Sequence, residues 1–468
     1  MEAIKMNDTV NACLARFICD FDERELPAAT RTYAVSAILD TLAVTIAGSA
    51  EDAIRLLGES LPVSQEAAAW APPWSVKKYR ADDAAILFGT ASHMLDYDDV
   101  SMVTVCHPSA PVLSAMVAAI GAGAVKTAPT GRAFITAFCI GTEVLIRVGQ
   151  AMGFRHYELG FHATATLGHL GAAAALARLM GLNRTQTAHA LSIAASMSSG
   201  LRTNFGSMVK PLHVGLAAAN ALRAVQLAQG GIEGAADVFE AGGFLHAFSG
   251  GATDTWPAEV AFGAPFVLQD PGFEQKRYPC CYMLHKIIEA SLALRREHGI
   301  SLDQVQSVMV RMAPGGTRPL NHPYPRSGLN GKFSAPYAVV ASILDGRINL
   351  ASFLDAAVLR PEVQARLHDV TVIEEGVASN EGSDLGNAPV SVELILHDGR
   401  MLSKTITPSP GSQGDPITVA QLQEKWTDCF SRGMPRLASA DARVMFEQGL
   451  HLDETASSAD WLAGLFGK

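Results

Sequence analysis

The chain has 468 residues, 49% of them apolar and 18% charged, and carries a formal net charge of −10. That length supports two or more cores, because single hydrophobic cores stop growing near ~250–300 residues. The acidic balance argues against non-specific nucleic-acid binding, and it admits a small anionic ligand only where local Lys, Arg or His override the global sign.

From residue 8 to about 265 the sequence reads as helix after helix. VNACLARFICDF comes first, then ATRTYAVSAILDTLAVTIAGS with Gly48 as a stop, then EDAIRLLGES. A Trp/Pro-rich connector, AAWAPPWSVKK, precedes helical patterns at 82–95 and 111–124. Further helices are predicted at 131–149, 167–179, 185–198 and 212–229. Alanine and leucine dominate them, which favours helix, and their nearly all-apolar composition predicts positions inside a bundle.

The texture changes after Phe266. Residues 306–314 and 389–406 alternate with period two and are rich in β-branched residues, and Asp398–Gly399 is a hairpin signal. A third strand is expected at 370–375, and helices at 333–345, 350–356 and 361–367. After a Pro/Gly linker at 407–416, helices return at 418–430, 440–449 and 458–466. The expected class is mainly α: an all-helical domain made of 1–268 and 407–468, with a smaller inserted α+β domain at 269–406.

Cys13, Cys19, Cys106, Cys139, Cys280, Cys281 and Cys429 show no metal-ligand spacing. Their odd number, behind an N-terminus without an apolar leader, predicts a reducing, cytoplasmic setting. No apolar run reaches 18 residues without a polar interruption, so no membrane span is predicted. The chain has no dinucleotide fingerprint after a strand, no Walker A sequence, no HExxH and no GxSxG.

Four polar clusters interrupt apolar sequence. The first is HMLDYDDVSMVTVCHPS, where Asp96, Asp98 and Asp99 precede His107. Buried carboxylates are costly unless paired, so this is either an acidic helix end or a site of tuned acidity. The second runs from Arg155–His156–Tyr157 to His162, ahead of a helix whose field would depress the His162 pKa. The third, SGLRTNFGSMVKPLHVG, sets Lys210 before a strongly apolar helix. That lysine either snorkels to solvent or faces an anion. In the fourth, EQKRYPCCYMLHK, Lys276 and Arg277 could clamp carboxylates. Cys280 and Cys281 fall at an expected helix start, where a thiolate would be stabilised, and Tyr282 and His285 lie one turn apart. Each of the last three clusters also reads as cap, core or hinge. Together they supply acids, histidines and cations suited to proton transfer next to a carboxylate. No two candidate metal ligands share a helical face.

Taken together, LDTLAVTIAG, MLDYDDV…CHPS, GFHATAT, KPLHVG, KRYPCC…H and KFSAPYAVVASILDG, in this order, resemble the MmgE/PrpD family. That family includes 2-methylcitrate dehydratase, cis-aconitate decarboxylase and iminodisuccinate epimerase. The resemblance implies a helical domain built from both chain ends, an α+β lid, a homodimer, and an active site between the domains without metal or organic cofactor. It further implies a lyase that decarboxylates or dehydrates a small di- or tricarboxylic acid. The alternatives are a dicarboxylate epimerase with a base on each face of the α-carbon, or a non-catalytic relative.

By motif, the resemblance makes Asp96, His107, His162, Lys210 and Lys276 the catalytic set. His107 would be the proton donor or base, and Tyr157, Arg277, Cys281, His285 and Tyr337 would bind substrate. Three positions depart from the decarboxylase pattern: Val100 replaces a threonine, Cys281 replaces a histidine, and Ala163 replaces a proline.

Overall fold

The structure is a computed structural model and describes residues 9–66, 68–240, 242–258, 260–376, 382–437 and 439–465. The first half winds through α1 (Val10–Asp20), α2 (Ala28–Gly48), α3 (Asp52–Ser60), α4 (Ala81–His93), α5 (Ser109–Gly121) and α6 (Gly131–Met152). It continues through α7 (Arg155–Glu158), α8 (Ala163–Leu179), α9 (Arg184–Met197), α10 (Val209–Gln229) and α11 (Phe244–Ser249). Three helix boundaries position polar residues. The fourth helix stops at His93, so Asp96 lies beyond it, and α8 starts at Ala163, which makes His162 its N-cap. The tenth starts at Val209 rather than 212, placing Lys210 within its first turn.

Small residues set how closely these helices pack. A Cβ on Gly89 of α4 would fall 2.7 Å from Gly215 Cα of α10, and one on Gly215 would fall 2.3 Å from Ile86 O. The two backbones therefore touch, and only glycine permits it. This contact brings the C-terminal end of α4 beside the N-terminal end of α10, which is where Asp96 and Lys210 meet. Among the described residues α6 alone is, by itself, long and apolar enough to cross a membrane, and 83% of that stretch is buried in the bundle.

The second half contains α12 (His285–His298), strand β1 (Val305–Met312), α13 (Gly328–Gly331), α14 (Ala335–Asp345), α15 (Asp355–Val358) and α16 (Pro361–Gln364). Strand β2 (Val370–Glu374), α17 (Gly382–Asn387), β3 (Val390–Leu396) and β4 (Met401–Ile406) come next. The sheet order is β2-β1-β3-β4, with β1 parallel to β2 and antiparallel to β3. Gly399, at φ +84°, turns the β3–β4 hairpin as the Asp–Gly pair predicted. The helix expected at 350–356 is instead a 3₁₀ turn at Leu350–Phe353 followed by α15. The expected helix start at the cysteines also moves: a 3₁₀ turn at Tyr282–Leu284 intervenes, and α12 begins at His285.

Helices α18 (Val419–Gly433), α19 (Ser439–Leu450) and α20 (Ser458–Leu465) close the chain. Trp426, Cys429, Phe430 and Phe446 are buried in the same apolar cluster as α2, α4, α6 and α8. A second cluster gathers residues from Tyr278 to Leu396 around the sheet, α12 and α14. Helices dominate beside one four-stranded sheet, so the class is mainly α.

Candidate active site

Asp96 sits at the centre of the polar residues that the sequence singles out. It has φ +51°, a left-handed turn that Asp tolerates better than most residues. Its Oδ1 accepts hydrogen bonds from Lys210 Nζ at 2.9 Å and Lys276 Nζ at 2.7 Å. Lys276 Nζ also donates to the Asp96 backbone carbonyl at 2.7 Å. Burial pushes the Asp96 carboxyl up, but the two ammoniums outweigh it and hold the group well below the usual carboxylate range. Its Oδ2 is buried and has no hydrogen-bond partner.

His107 faces the same carboxylate, with Nε2 3.7 Å from Asp96 Oδ1. Its Nδ1 lies 2.8 Å from the Asp99 carbonyl, an acceptor, so Nδ1 carries the proton and Nε2 presents a lone pair. Burial first, then the positive charge of Lys276 and Lys210 and the neighbouring His93, holds the His107 pKa well below its ordinary value. The ring is therefore neutral, as a general base must be. The backbone carrying it is pinned by Thr164 Oγ1, which accepts from His107 N at 3.0 Å.

Asp98 and Asp99 brace this arrangement. Both Asp98 oxygens engage His93 Nδ1, at 2.8 and 3.0 Å, and Asp99 accepts from Ser109 N and Ser109 Oγ at the start of α5. His162 meets His213 through Nδ1–Nδ1 at 3.1 Å, and its Nε2 is buried without a partner. Burial rather than the helix field is the chief reason its pKa lies well below the usual range. Lys210 Nζ lies 4.8 Å from the Phe205 ring centroid and 5.0 Å from that of Phe333.

Asp96, His107, His162, Lys210 and Lys276 line one cleft. Tyr157 and Cys281 line it as well. The lining also includes one mainly apolar cluster: Val100, Met102, Val105, Tyr282, Met283 and Leu385. Val105 has φ +51°, a strained conformation for a β-branched residue, in the turn closed by the Ser101–Cys106 backbone pair. The lining thus combines a charged group of side chains with an apolar one.

Two family models match the chain: the MmgE/PrpD N-terminal domain over residues 12–257 and the C-terminal domain over 278–448. The chain belongs to the MmgE/PrpD family. It is 28% identical to human cis-aconitate decarboxylase over 73% of its own length and 71% of the relative's. A cis-aconitate decarboxylase-like protein, oryM, of Aspergillus oryzae is 27% identical over 89% of each chain. The cis-aconitate decarboxylase of Aspergillus terreus is 29% identical, covering 68% of this chain and 70% of its own.

Three of the expected substrate-binding residues lie off the cleft of this MmgE/PrpD protein. His285 is fully buried with Nε2 3.1 Å from the Tyr278 carbonyl, and burial holds its pKa at about 3. The missing imidazole at Cys281 is therefore not supplied one turn later. Tyr337 lies in the second core, its hydroxyl donating to Ser352 O, and does not close the cleft. Arg277 points toward Asp415 at 3.5 Å and Glu289 at 4.0 Å, bracing the linker instead of clamping a ligand. The expected Cys281 thiolate is also corrected, because burial pushes that thiol up to about 11 and leaves it protonated.

Sequence reasoning gave His93 no role. It joins Asp96, Asp98 and His107, which bring one ligand atom each within 4.8 Å of one another, although helical spacing had suggested no shared face. They converge because the turn after α4 folds back on itself. A divalent cation fits them poorly, since Lys210 and Lys276 already place two positive charges on Asp96. Phe205 and Phe333 carried no polar or spacing signal that would have assigned them, and His213 lay in the third polar cluster without being given a role.

Proposed function

We propose that this MmgE/PrpD protein is a lyase that decarboxylates or dehydrates a small di- or tricarboxylic acid, using its own side chains for the proton transfers. One observation carries the reading: Lys210 and Lys276 converge on Asp96, whose Oδ1 lies 3.7 Å from the free Nε2 of a neutral His107. The cis-aconitate decarboxylase relatives support a lyase and make cis-aconitate the first substrate to test.

Substrate carboxylates would lie against Lys210, Lys276 and His162. In the dehydrating sense His107 Nε2 takes the proton alpha to a carboxylate and returns it to the departing hydroxyl, which leaves as water. In the decarboxylating sense the C–C bond to one carboxylate breaks, CO2 departs, and the electron pair spreads onto a neighbouring carboxylate held by the lysines. One proton from His107 then completes the product. His107 acquires that proton because a bound polyanion offsets the ammonium field that keeps the free ring neutral. The segment 269–406, with its separate apolar cluster, would act as the lid over the cleft.

Epimerisation requires a second base opposite His107. The candidates lining the cleft are His162, Tyr157 and Lys276. Burial pushes the Tyr157 hydroxyl up, and Asp96 raises Lys276 against the opposing effect of burial, so both hold their protons. His162 is neutral, with its Nδ1 against His213 and its Nε2 unpartnered, and is the candidate that epimerisation would need.

The test is to incubate chelator-treated protein with C4–C7 di- and tricarboxylates, cis-aconitate first, and follow products by NMR in D2O. CO2 release or loss of water, with activity surviving chelation, is the expected result. Deuterium exchange without net product would transfer the assignment to epimerisation, and silence across the panel would overturn both.

A further inference from the structure

Lys425 lies on α18, outside the cleft, and its side chain is only 3% exposed. Its Nζ donates to the Tyr97 carbonyl at 2.9 Å and to the Lys276 carbonyl at 2.9 Å. It also approaches Asp40 Oδ1 of α2 to 2.7 Å, as an ion pair off the hydrogen-bonding direction, and lies 3.7 Å from the Tyr97 ring centroid.

The two carbonyls are not arbitrary. Tyr97 directly follows Asp96, and Lys276 is the other half of the cleft's ion pair. The Tyr97 hydroxyl crosses to the Arg277 carbonyl at 3.1 Å, so the same two segments are bridged a second time. One ammonium beneath the floor therefore ties together two stretches of chain, 180 residues apart, whose side chains meet over it.

Packing alone does not call for a charge here. Removing an ion pair from water costs free energy that well-packed apolar side chains of similar volume avoid. What the charge adds is directional bonding to two carbonyls that an apolar side chain could not hold.

We propose that Lys425, neutralised by Asp40, is a positioning residue that fixes the Asp96–Lys276 pair in register with His107. It touches no substrate and acts through the backbone of Tyr97 and Lys276. The proposal rests on the lyase reading for its kinetic consequence, but not for its structural one.

The groups facing His107 are Asp96, Asp98, His93, Lys210 and Lys276, and all remain when Lys425 is replaced. The test uses Lys425→Met together with Asp40→Asn/Lys425→Met, which removes both charges and avoids an unpaired buried carboxylate. With cis-aconitate as probe, kcat per folded molecule is expected to fall about 10–100-fold, because small misplacements of a catalytic constellation cost that much. KM should stay within about threefold, the signature of a step lost in the transition state rather than in binding. The alkaline limb of kcat, set by the protonated His107 that decarboxylation requires, should move to higher pH, since a displaced Lys276 repels the His107 proton less.

A purely structural role would lower the folded fraction and leave kcat per folded molecule and the pH profile unchanged, which overturns the proposal. A second readout needs no substrate: the His107 imidazole, labelled with 15N and identified through His107→Gln, should titrate higher in the double variant than in the unaltered protein. An identical titration would sink the proposal even if the lyase reading stands. If no polycarboxylate is turned over at all, the lyase reading fails while this titration still decides the role of Lys425.

Discussion

Buried lysines in this protein fall into two kinds. Lys332 spends its ammonium on the carbonyls of Leu95 and Pro279, at 2.8 and 2.7 Å, away from any open space. Lys210 makes one hydrogen bond, to a carboxylate shared with Lys276, and otherwise faces two aromatic rings and the cleft. The same division separates His285, whose unpartnered Nδ1 is buried off the cleft, from His107, whose free Nε2 belongs to the cleft lining. Burial is common to all four. What marks a site is an unfilled hydrogen-bonding position aimed at space that a ligand can enter.

That division can be broken by substitution. The largest effect is expected from His107→Gln, about 10²–10⁴-fold in kcat/KM, the range for loss of a general acid–base group. His285→Gln should leave kcat per folded molecule within about threefold, with its cost in melting temperature. Equal losses in both variants would erase the distinction. The lysines give a milder version. Lys210→Met should cut kcat/KM by at least about tenfold, roughly the worth of one charge-assisted hydrogen bond. Lys332→Met should instead lower stability by about 1–3 kcal/mol per carbonyl left unpaired, with turnover per folded molecule retained. Denaturant titration and steady-state kinetics on the same samples check both.

How much of this was readable beforehand depends on the same physics. Helical texture is local, so Ala- and Leu-rich runs such as α2 and α6 could be placed to within a turn from the sequence. The Asp398–Gly399 hairpin was legible for the same reason. The resemblance carried Asp96, His107, His162, Lys210 and Lys276 to positions that the fold gathers in one cleft. Direction was not legible. Tyr337 and His285 sit in motifs beside cleft residues, yet their side chains turn into the second core, and no spacing rule distinguishes those faces once a 3₁₀ turn precedes α12. The Cys281 prediction assumed a helix N-terminus that begins four residues later, so burial alone sets that thiol.

The two lysine classes also differ in the sign of their pH response. Burial lowers the Lys332 pKa from 10.5 to about 8, so the folded protein loses this proton before the unfolded chain does. Between about pH 8 and 10.5 the unfolded state binds more protons, and stability from this residue rises with pH. For Lys276 the Asp96 charge outweighs burial and raises the pKa above 10.5. Its contribution is complete below that value and is lost as pH rises through the folded pKa. Comparing urea midpoints at pH 8 and 10, Lys332→Met should remove an upward component, whereas Lys276→Met should show none missing. At acid pH the buried neutral histidines dominate: His156 and His169 titrate at about 4 against 6.5 when unfolded, so their share of stability falls as pH drops through that window.

The smallest expected effect lies on the apolar wall. Val100 is buried beside Met102 and Tyr282, with its backbone paired to Glu274 in both directions at 3.0 and 2.8 Å. The cis-aconitate decarboxylase pattern places a threonine there. Val100→Thr keeps the shape and adds an open hydroxyl to a wall whose other hydroxyl, on Tyr282, is already engaged by Ser409. Without a partner that hydroxyl should cost about 1–3 kcal/mol of stability in the ligand-free protein. A carboxylate reaching the wall would satisfy it and recover part of that loss as a ligand-induced rise in melting temperature. We therefore expect Val100→Thr to melt lower when free and to gain more from added cis-aconitate than the unaltered protein does. If the gains are equal, substrate carboxylates never reach this wall, and recognition belongs entirely to Lys210, Lys276 and His162.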